Sequence, residues 1–424
     1  MSEAAPADAP EEVTGIRSLL RNRGFTGLLT YRLLAMLSYQ IVAVTVGWHV
    51  YEITHDAFAL GLIGLAEVIP YFCFALFAGY AVDHLRRRVL GMLACIGLLL
   101  TTLTLAGVAS GVLPAGAFGY GTLVIYAAIA VNGIVRAFLA PVYMSLFARV
   151  LKRAQFARGA GVSSVVMQSG LVLGPAVGGL LVAWGGKTSA YLVASVLAAA
   201  AAVAVITLRV TEPPLPSERA PVFQSIGEGL RFVFRTQVVL GAQALDMFSV
   251  LFGGAVALLP AFISEILHYG PEALGLLRAM PAVGAVLMGV YLARHPLQRH
   301  AGRVLLIAVA GFGLCIVGFA LSRYLWLSAV MLMFSGMCDG VSVVLRSTIL
   351  QLATPDHMRG RVSSINGIFI GSSNELGAFE SGVAARLLGL VPSVVFGGCM
   401  TLLVVATTAR LAPQLRRLDL RELH

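Results

Sequence analysis

Long apolar stretches recur along almost the whole of this 424-residue chain. The first, residues 27–50, is long enough to cross a bilayer as a helix, which needs roughly 20 apolar residues. The full set of such stretches is 27–50, 59–82, 89–110, 119–145, 160–184, 190–208, 238–264, 273–293, 303–322, 325–350, 362–388 and 391–410. Because lipid offers no partner to backbone N–H and C=O groups, these stretches must fold as helices. The sequence therefore predicts an all-α membrane protein with twelve transmembrane helices.

The charged residues support this interpretation. Only 12% of the residues are charged, whereas a soluble domain has roughly a quarter. The net charge of +10 could suit nucleic acid, but the basic residues occupy short loops on alternate sides of the apolar stretches. These basic segments are 17–23, 86–88, 149–158, 209–235, 294–303, 359–361 and 416–421. This positive-inside pattern predicts contact with membrane lipid, no nucleic-acid partner, and cytoplasmic N and C termini.

A long polar loop divides the chain in two. Its prolines at 213, 214 and 216 stop a helix, and the stretch that follows is amphipathic and expected to lie on the membrane surface. The predicted parts are a cytoplasmic segment 1–26, a six-helix bundle 27–208, a cytoplasmic linker 209–236 with an amphipathic helix, a second six-helix bundle 237–411 and a cytoplasmic tail 412–424.

The two predicted bundles share sequence features. A shift of 203 residues places Gly133 on Gly336 and Arg136 on Asp339, and a shift of 211 places Pro70 on Pro281. Matching features in matching helices indicate an internal duplication. Duplicated bundles around a site near the bilayer midplane are typical of secondary transporters.

Two motifs have both a structural and a functional interpretation. The first follows the second apolar stretch and comprises Gly79, Asp83, Arg87 and Arg88. In structural terms, this motif is sufficiently explained as the end of a helix followed by a cytoplasmic cluster of basic residues. The second motif lies in the fifth stretch and comprises Gly161, Gly170, Gly174, Pro175, Gly178 and Gly179. Its glycines allow close helix packing and its proline bends the helix, so a kinked packing helix is a sufficient explanation.

Both motifs also resemble signatures of the major facilitator superfamily. The first is similar to the signature of the loop between helices 2 and 3, from which His84 and Arg86 depart. The second resembles the antiporter signature that is found mainly in exporters. Together with segments 47–70, 245–260 and 345–382, they make the chain resemble the enterobactin-exporter-like branch of that superfamily.

The resemblance carries several expectations. It implies the major facilitator fold, with two pseudo-symmetric six-helix bundles, in a bacterial inner membrane. It implies that Asp83 latches the cytoplasmic side in the outward-open state, which would make Gly79, Asp83, Arg87 and Arg88 a cytoplasmic gate. It also favours export of a small organic molecule such as a siderophore.

Charged residues within the apolar stretches are the candidate functional residues. The acids are Glu67, Asp246, Asp339, Glu375 and Glu380, and the bases are Arg32, Arg136, Arg278 and Arg346. Each costs at least about 2.5–3.5 kcal/mol at the bilayer centre unless it is paired or hydrated. The set therefore predicts a hydrated cavity or a network of ion pairs, and a purely structural ion pair is an equal alternative for any one residue.

The carboxylates are the candidate proton carriers, because burial disfavours their charged form. Asp246 and Glu375 are the preferred carriers, and Arg136 and Arg346 could neutralise them or hold an anionic substrate. Glu380 lies about 140° around the helix from Glu375 and should not face the same cavity.

The sequence thus predicts a proton-coupled exporter that works as a monomer by rocking of the two bundles. One alternative is a broad-specificity multidrug or macrolide efflux antiporter, although many buried arginines would disfavour organic cations. Another is a non-transporting membrane sensor or scaffold. No hydrolase motif is present and no pair among the five cysteines has metal-ligand spacing, so neither an enzyme, a metal nor a cofactor is expected.

The arginine distribution makes the topology testable. If the linker is cytoplasmic, a cysteine introduced at Ser217 in a cysteine-free background should not react with a membrane-impermeant maleimide added to intact cells. The same cysteine should react after the membrane is permeabilised. Labelling from outside intact cells would contradict the predicted topology.

Overall fold

The structure, a computed structural model, describes residues 16–113, 121–152, 155–208, 210, 222–295, 299–355 and 358–420. In this part of the chain the residues are almost all helical and no strand occurs. The helices are α1 Ile16–Arg21, α2 Arg23–Thr54, α3 Ala57–His84, α4 Arg87–Ala109, α5 Gly121–Val150, α6 Phe156–Ile206, α7 Val222–Arg235, α8 Gln237–Phe252, α9 Leu259–Phe262, α10 Pro271–Arg294, α11 Ala301–Leu321, α12 Leu325–Ala353, α13 Arg359–Leu388, α14 Leu390–Leu411 and α15 Pro413–Arg417.

Length and composition identify ten membrane-spanning candidates among the described residues. The predicted fifth and sixth spans are two helices within α6, separated by a sharp kink at Gly186, whose φ of 75° and ψ of 174° are not helical and suit glycine. The predicted eleventh span, α13, has 30 residues but is too rich in serine, asparagine and glycine to qualify by hydropathy. The all-α membrane fold is confirmed, whereas the number twelve remains a prediction.

The predicted seventh span is interrupted. Sequence predicts one helix over 238–264, but α8 ends at Phe252 and a 3-10 turn follows over Gly254–Leu258. A π-helical turn over Ile263–Leu267 comes after the short α9. A Cβ at Gly254 would lie 2.5 Å from the carbonyl oxygen of Gly377 in α13. Irregular backbone at this depth is tolerated where it is buried in protein or lines a cavity.

The linker contains the predicted amphipathic helix. It is α7, Val222–Arg235, and it packs on α8 and α13. Residues 211–221 lie outside the described part of the chain, and the position of α7 on a membrane surface remains a prediction.

The membrane helices form two bundles. Helices α2–α6 pack together as the N-bundle and helices α8–α14 as the C-bundle. The bundles have similar contacts: Gly133 of α5 packs on the backbone of α3 at Glu67, and Gly336 of α12 packs on the backbone of α10 at Pro281, about one helical turn beyond the position equivalent to Glu67. These contacts support the pseudo-symmetry that the sequence shift of 203 predicts.

The bundles meet along α3 with α13 and α6 with α10. At the end that contains the α2–α3 connection, glycines face each other across the interface. A Cβ at Gly179 would lie 2.5 Å from Cα of Gly275, and one at Gly382 would lie 2.7 Å from Cα of Gly61. The Tyr51 hydroxyl also donates a 2.5 Å hydrogen bond to Glu265 across the interface. We call this the closed end.

Toward the other end, which contains the start of α6, the bundles diverge. Gly161 lies eighteen residues, or five helical turns, before Gly179 and therefore shares its face of α6. A Cβ at Gly161 would meet no atom of the described residues within 4 Å, and the same holds at Gly289 near the end of α10. We call this the open end.

The glycine contact predicts a separable effect on the closed end. Gly179→Ala places a methyl group against backbone of the other bundle, so the bundles must move apart there. Spin labels at Leu113 and Tyr324, which are exposed at the closed end of different bundles, should give a longer and broader distance distribution in this variant. Gly161→Ala is the matched control and should leave the distribution unchanged. Equal distributions in both variants would contradict the closed-end packing.

Candidate functional site

Arg136 lies between carboxylates of the two bundles. Its Nη1 atom is 3.0 Å from Oε1 of Glu67 in α3 and 2.5 Å from Oε1 of Glu375 in α13. The carboxylate side chains are only 8% and 17% exposed, respectively. A single guanidinium nitrogen therefore joins the N-bundle, which carries Arg136 and Glu67, to the C-bundle, which carries Glu375. Such pairs are strongest where water is excluded.

Two tyrosines complete this arrangement. The Tyr39 hydroxyl donates a 2.7 Å hydrogen bond to Glu67 and accepts a 3.3 Å hydrogen bond from Arg136. The ring centre of Tyr71 lies 5.0 Å from the guanidinium carbon, within the range of a cation–π interaction. We call Tyr39, Glu67, Arg136 and Glu375 the interface cluster. Sequence analysis missed both tyrosines, because nothing in the sequence distinguishes them from other aromatic residues of the spans.

Small residues bring the charged side chains together. Gly133 packs on the backbone of Glu67 one helical turn before Arg136. A Cβ at Gly64 would lie 2.5 Å from the carbonyl oxygen of Glu375, so α3 and α13 approach each other almost without side chains between them. The close backbone approach explains why the short carboxylate of Glu67 and the long side chain of Arg136 reach the same point.

A second ion pair lies inside the C-bundle. Asp246 of α8 pairs with Arg346 of α12, and both side chains are buried. The structure thus places Arg346 beside Asp246 and Arg136 beside Glu375, although the first pair stays within one bundle and the second crosses between bundles. Whether either carboxylate carries a proton remains a prediction.

A cavity of about 320 Å³ lies within the C-bundle. Its polar lining includes Asp246, Arg278, Asp339, Asn374 and Glu375. Glu375 therefore belongs both to the interface cluster and to the wall of this cavity. The apolar part of the lining includes Val250, Val256, Val309 and Phe312.

Glu380 does not line this cavity. Its carboxylate accepts a 3.5 Å hydrogen bond from Ser381, the neighbouring residue. Its separation from Glu375 around α13 accounts for the different surroundings.

The remaining buried bases have distinct neighbours. Arg278 donates a 3.2 Å hydrogen bond to the carbonyl oxygen of Ala43 and so reaches the N-bundle. Arg32 donates a 2.5 Å hydrogen bond to Ser163, and its guanidinium lies 4.1 Å from the ring centre of Tyr143. By contrast, Asp339 forms no hydrogen bond or ion pair with any residue that the structure describes.

The predicted cytoplasmic gate is only partly described. Arg87 is buried at the start of α4, and Arg88 donates a 2.9 Å hydrogen bond to the carbonyl oxygen of Leu208. The surroundings of Gly79 and the side chain of Asp83 lie outside the described part of the structure. A latch formed by Asp83 therefore remains a prediction.

The glycines of the fifth span form packing surfaces. Gly170, Gly174 and Gly178 face Met36, Gln40 and Ile41 of α2. Gly179 faces Gly275 of the other bundle, and Pro175 lies inside α6 just before Gly178 and Gly179. The motif therefore joins α6 to a helix of its own bundle and to a helix of the partner bundle. Its association with antiport remains an expectation from resemblance.

Comparisons with known proteins extend over both bundles. A family model described as the Major Facilitator Superfamily matches residues 28–378. The multidrug efflux pump Tap of Mycolicibacterium fortuitum is 26% identical over 394 residues, which cover 90% of this chain and 93% of that protein. The enterobactin exporter EntS of Escherichia coli O139:H28 (strain E24377A / ETEC) is 24% identical over 404 residues, which cover 92% of this chain and 94% of the exporter.

A solved structure shows the same fold. A POT family transporter in complex with 5-aminolevulinic acid matches with a TM-score of 0.73 and 11% identity, over 93% of this chain and 97% of that transporter.

The buried ion pair predicts a non-additive effect on stability. Removing one partner leaves an uncompensated charge, so Asp246→Asn or Arg346→Met should each destabilise the protein by about 3–5 kcal/mol. The double variant should lose less than the sum of the single variants, as measured by a thermal-unfolding cycle in detergent. The half-exposed pair of Lys187 and Glu52, 3.1 Å apart, is the control and should give little coupling. Additive losses at Asp246 and Arg346 would contradict a direct pair.

Proposed function

The chain belongs to the Major Facilitator Superfamily of membrane transporters, and from this premise we propose that it is a proton-coupled exporter of a small organic molecule. Relatives that match over nine-tenths of the chain are a multidrug efflux pump and an enterobactin exporter, which supports export. The proposal places the protein in a bacterial inner membrane, with cytoplasmic termini, and takes it to function as a monomer. The substrate is either a siderophore or a broader set of drugs.

The observation that carries proton coupling is the contact between Arg136 and Glu375 across the bundle interface. An ionised Glu375 attracts the guanidinium strongly at this depth, because the local dielectric constant is low. Protonation of Glu375 removes that attraction, and Arg136 then remains paired with Glu67 of its own bundle. Proton binding therefore weakens one of the contacts that join the bundles, and the two equilibria are linked.

The side of the membrane that the open end faces determines where the proton is released and where it is taken up. With cytoplasmic termini, the open end faces the cytoplasm, and in this conformation Glu375 contacts Arg136. An exporter that exchanges protons for substrate needs an ionised carrier when it is open to the cytoplasm, because the proton has by then been released there. Rocking about the interface would then expose Glu375 to the outside, where it takes up the next proton.

The proton gradient supplies enough energy for this task. One proton that crosses a potential of roughly 180 mV releases about 4 kcal/mol. This free energy sustains a substrate gradient of about a thousandfold. A sensor or scaffold would have no need of this coupling, so transport measurements separate these classes as well.

Transport into inside-out membrane vesicles tests the proposal. With the lumen acidified, the wild-type protein should accumulate either ethidium or radiolabelled enterobactin, and a protonophore should abolish the accumulation. Glu375→Gln keeps the size of the side chain but cannot exchange a proton, so its accumulation should start near the level seen with the protonophore. Asp246→Asn shares this expected defect if it also carries protons.

Glu272→Gln is the matched control. Glu272 is exposed in the first turn of α10, where it accepts a hydrogen bond from the backbone of Gly270, so this variant should accumulate the probe normally. Normal accumulation by Glu375→Gln would exclude Glu375 as the coupling residue. Uptake that ignores the protonophore would exclude proton coupling.

A further inference from the structure

The charges around the C-bundle cavity do not balance. Arg346 neutralises Asp246. Arg136 contacts both Glu67 and Glu375, and Arg278, which lines the cavity together with Glu375, adds a second positive charge. These four residues are neutral as a group when both acids are ionised. When it is ionised, Asp339 adds one further negative charge, and it has no cationic partner in the described part of the chain.

Pseudo-symmetry explains how this imbalance arises. The shift of 203 residues relates Arg136 to Asp339, and the shift of 211 that relates Pro70 to Pro281 also relates Glu67 to Arg278. The C-bundle thus holds the Arg136–Glu67 pair with its charges exchanged. The two pairs are used differently, because Glu67 contacts Arg136 directly, whereas Arg278 extends to the carbonyl oxygen of Ala43 in the N-bundle.

We propose that the C-bundle cavity is a binding site for small organic cations, with the Asp339 carboxylate as the counter-ion. This inference rests on the proposed function, because it names the class of molecule that is exported. Asp339 would give the positive group of the ligand one opposite charge away from bulk water, as Glu67 does for Arg136. An anionic ligand would instead place its charge beside an uncompensated carboxylate.

The rest of the lining fits such a ligand. Val250, Val256 and Val309 offer apolar contacts, and Phe312 adds an aromatic ring, a group whose face attracts cations. The volume of about 320 Å³ matches the lower range of small-molecule sites. The site therefore suits an amine or quaternary ammonium group attached to an apolar body. The sequence argument that buried arginines disfavour cations is weakened, because Arg136 and Arg346 are already paired with carboxylates and Arg278 donates a hydrogen bond to the carbonyl oxygen of Ala43.

The cavity carries its own reporter. Cys338 precedes Asp339 and lines the same cavity. In a protein with Cys73, Cys95, Cys315 and Cys399 replaced by alanine, Cys338 can be modified by two reagents of similar size and opposite charge. These are the trimethylammonium and sulfonate derivatives of ethyl methanethiosulfonate. The measured quantity is the ratio of their reaction rates at mildly alkaline pH, divided by the same ratio for a free thiol in solution.

The ratio isolates the charge of the site. Any effect that loss of Asp339 has on the ionisation of the Cys338 thiol changes both reaction rates equally and cancels in the ratio. The wild-type ratio should favour the cationic reagent, and Asp339→Asn should lower the ratio by about tenfold, as expected for one nearby unit charge of partly screened strength. Asp339→Glu should retain the preference. Glu272→Gln, which changes a carboxylate outside the cavity, should match the wild type.

A second measurement needs no substitution at Asp339. Tetraphenylphosphonium should protect Cys338 from modification, and the anion tetraphenylborate, which has the same shape, should not. Several results would overturn the proposal: equal protection by both ions, a wild-type preference for the anionic reagent, a ratio unchanged in Asp339→Asn, or no modification by either reagent.

These measurements do not depend on transport. Loss of the cation preference with intact proton-driven uptake would refute the cation site and leave the exporter. A cation preference without uptake would support the site and refute the exporter.

Discussion

Charge burial in a membrane is the constraint around which this molecule is organised. Placing a charged side chain away from water costs several kcal/mol of free energy, so Arg136 must be paired with carboxylates. It does so by contacting Glu67 of its own bundle and Glu375 of the other bundle. The same contact that makes Arg136 tolerable in the membrane therefore also joins the two bundles. Any change in the charge of Glu375 therefore alters both the compensation of the Arg136 charge and the contact between the bundles.

The closed end depends on a different kind of contact. There the bundles meet through Gly179 with Gly275 and through Gly61 with Gly382, where backbone lies against backbone. Such surfaces pack by shape and hold no charge that must be compensated when they separate. A transporter that works by rocking needs an interface whose ends can separate at a low cost in free energy and whose centre responds to protons. The distribution of glycines and charges meets both requirements.

The two bundles are similar in backbone and opposite in charge. Gly133 and Gly336 produce the same helix packing, yet Arg136 and Asp339 occupy equivalent positions with opposite sign. The N-bundle satisfies its arginine internally. The C-bundle turns Arg278 toward the interface and leaves Asp339 facing the cavity.

The sequence by itself determined the helical membrane class and the buried residues that matter, because a charge within an apolar stretch is conspicuous and costly wherever it lies. It did not determine the partners. Arg136 and Glu375 are 239 positions apart, and their contact depends on which faces of α5 and α13 the packing brings together. Nor did it reveal Tyr39, or the break after Phe252, since apolar periodicity is the same in a continuous and an interrupted span. Only the tertiary structure decided these points, because they follow from helix packing, which sequence spacing does not encode.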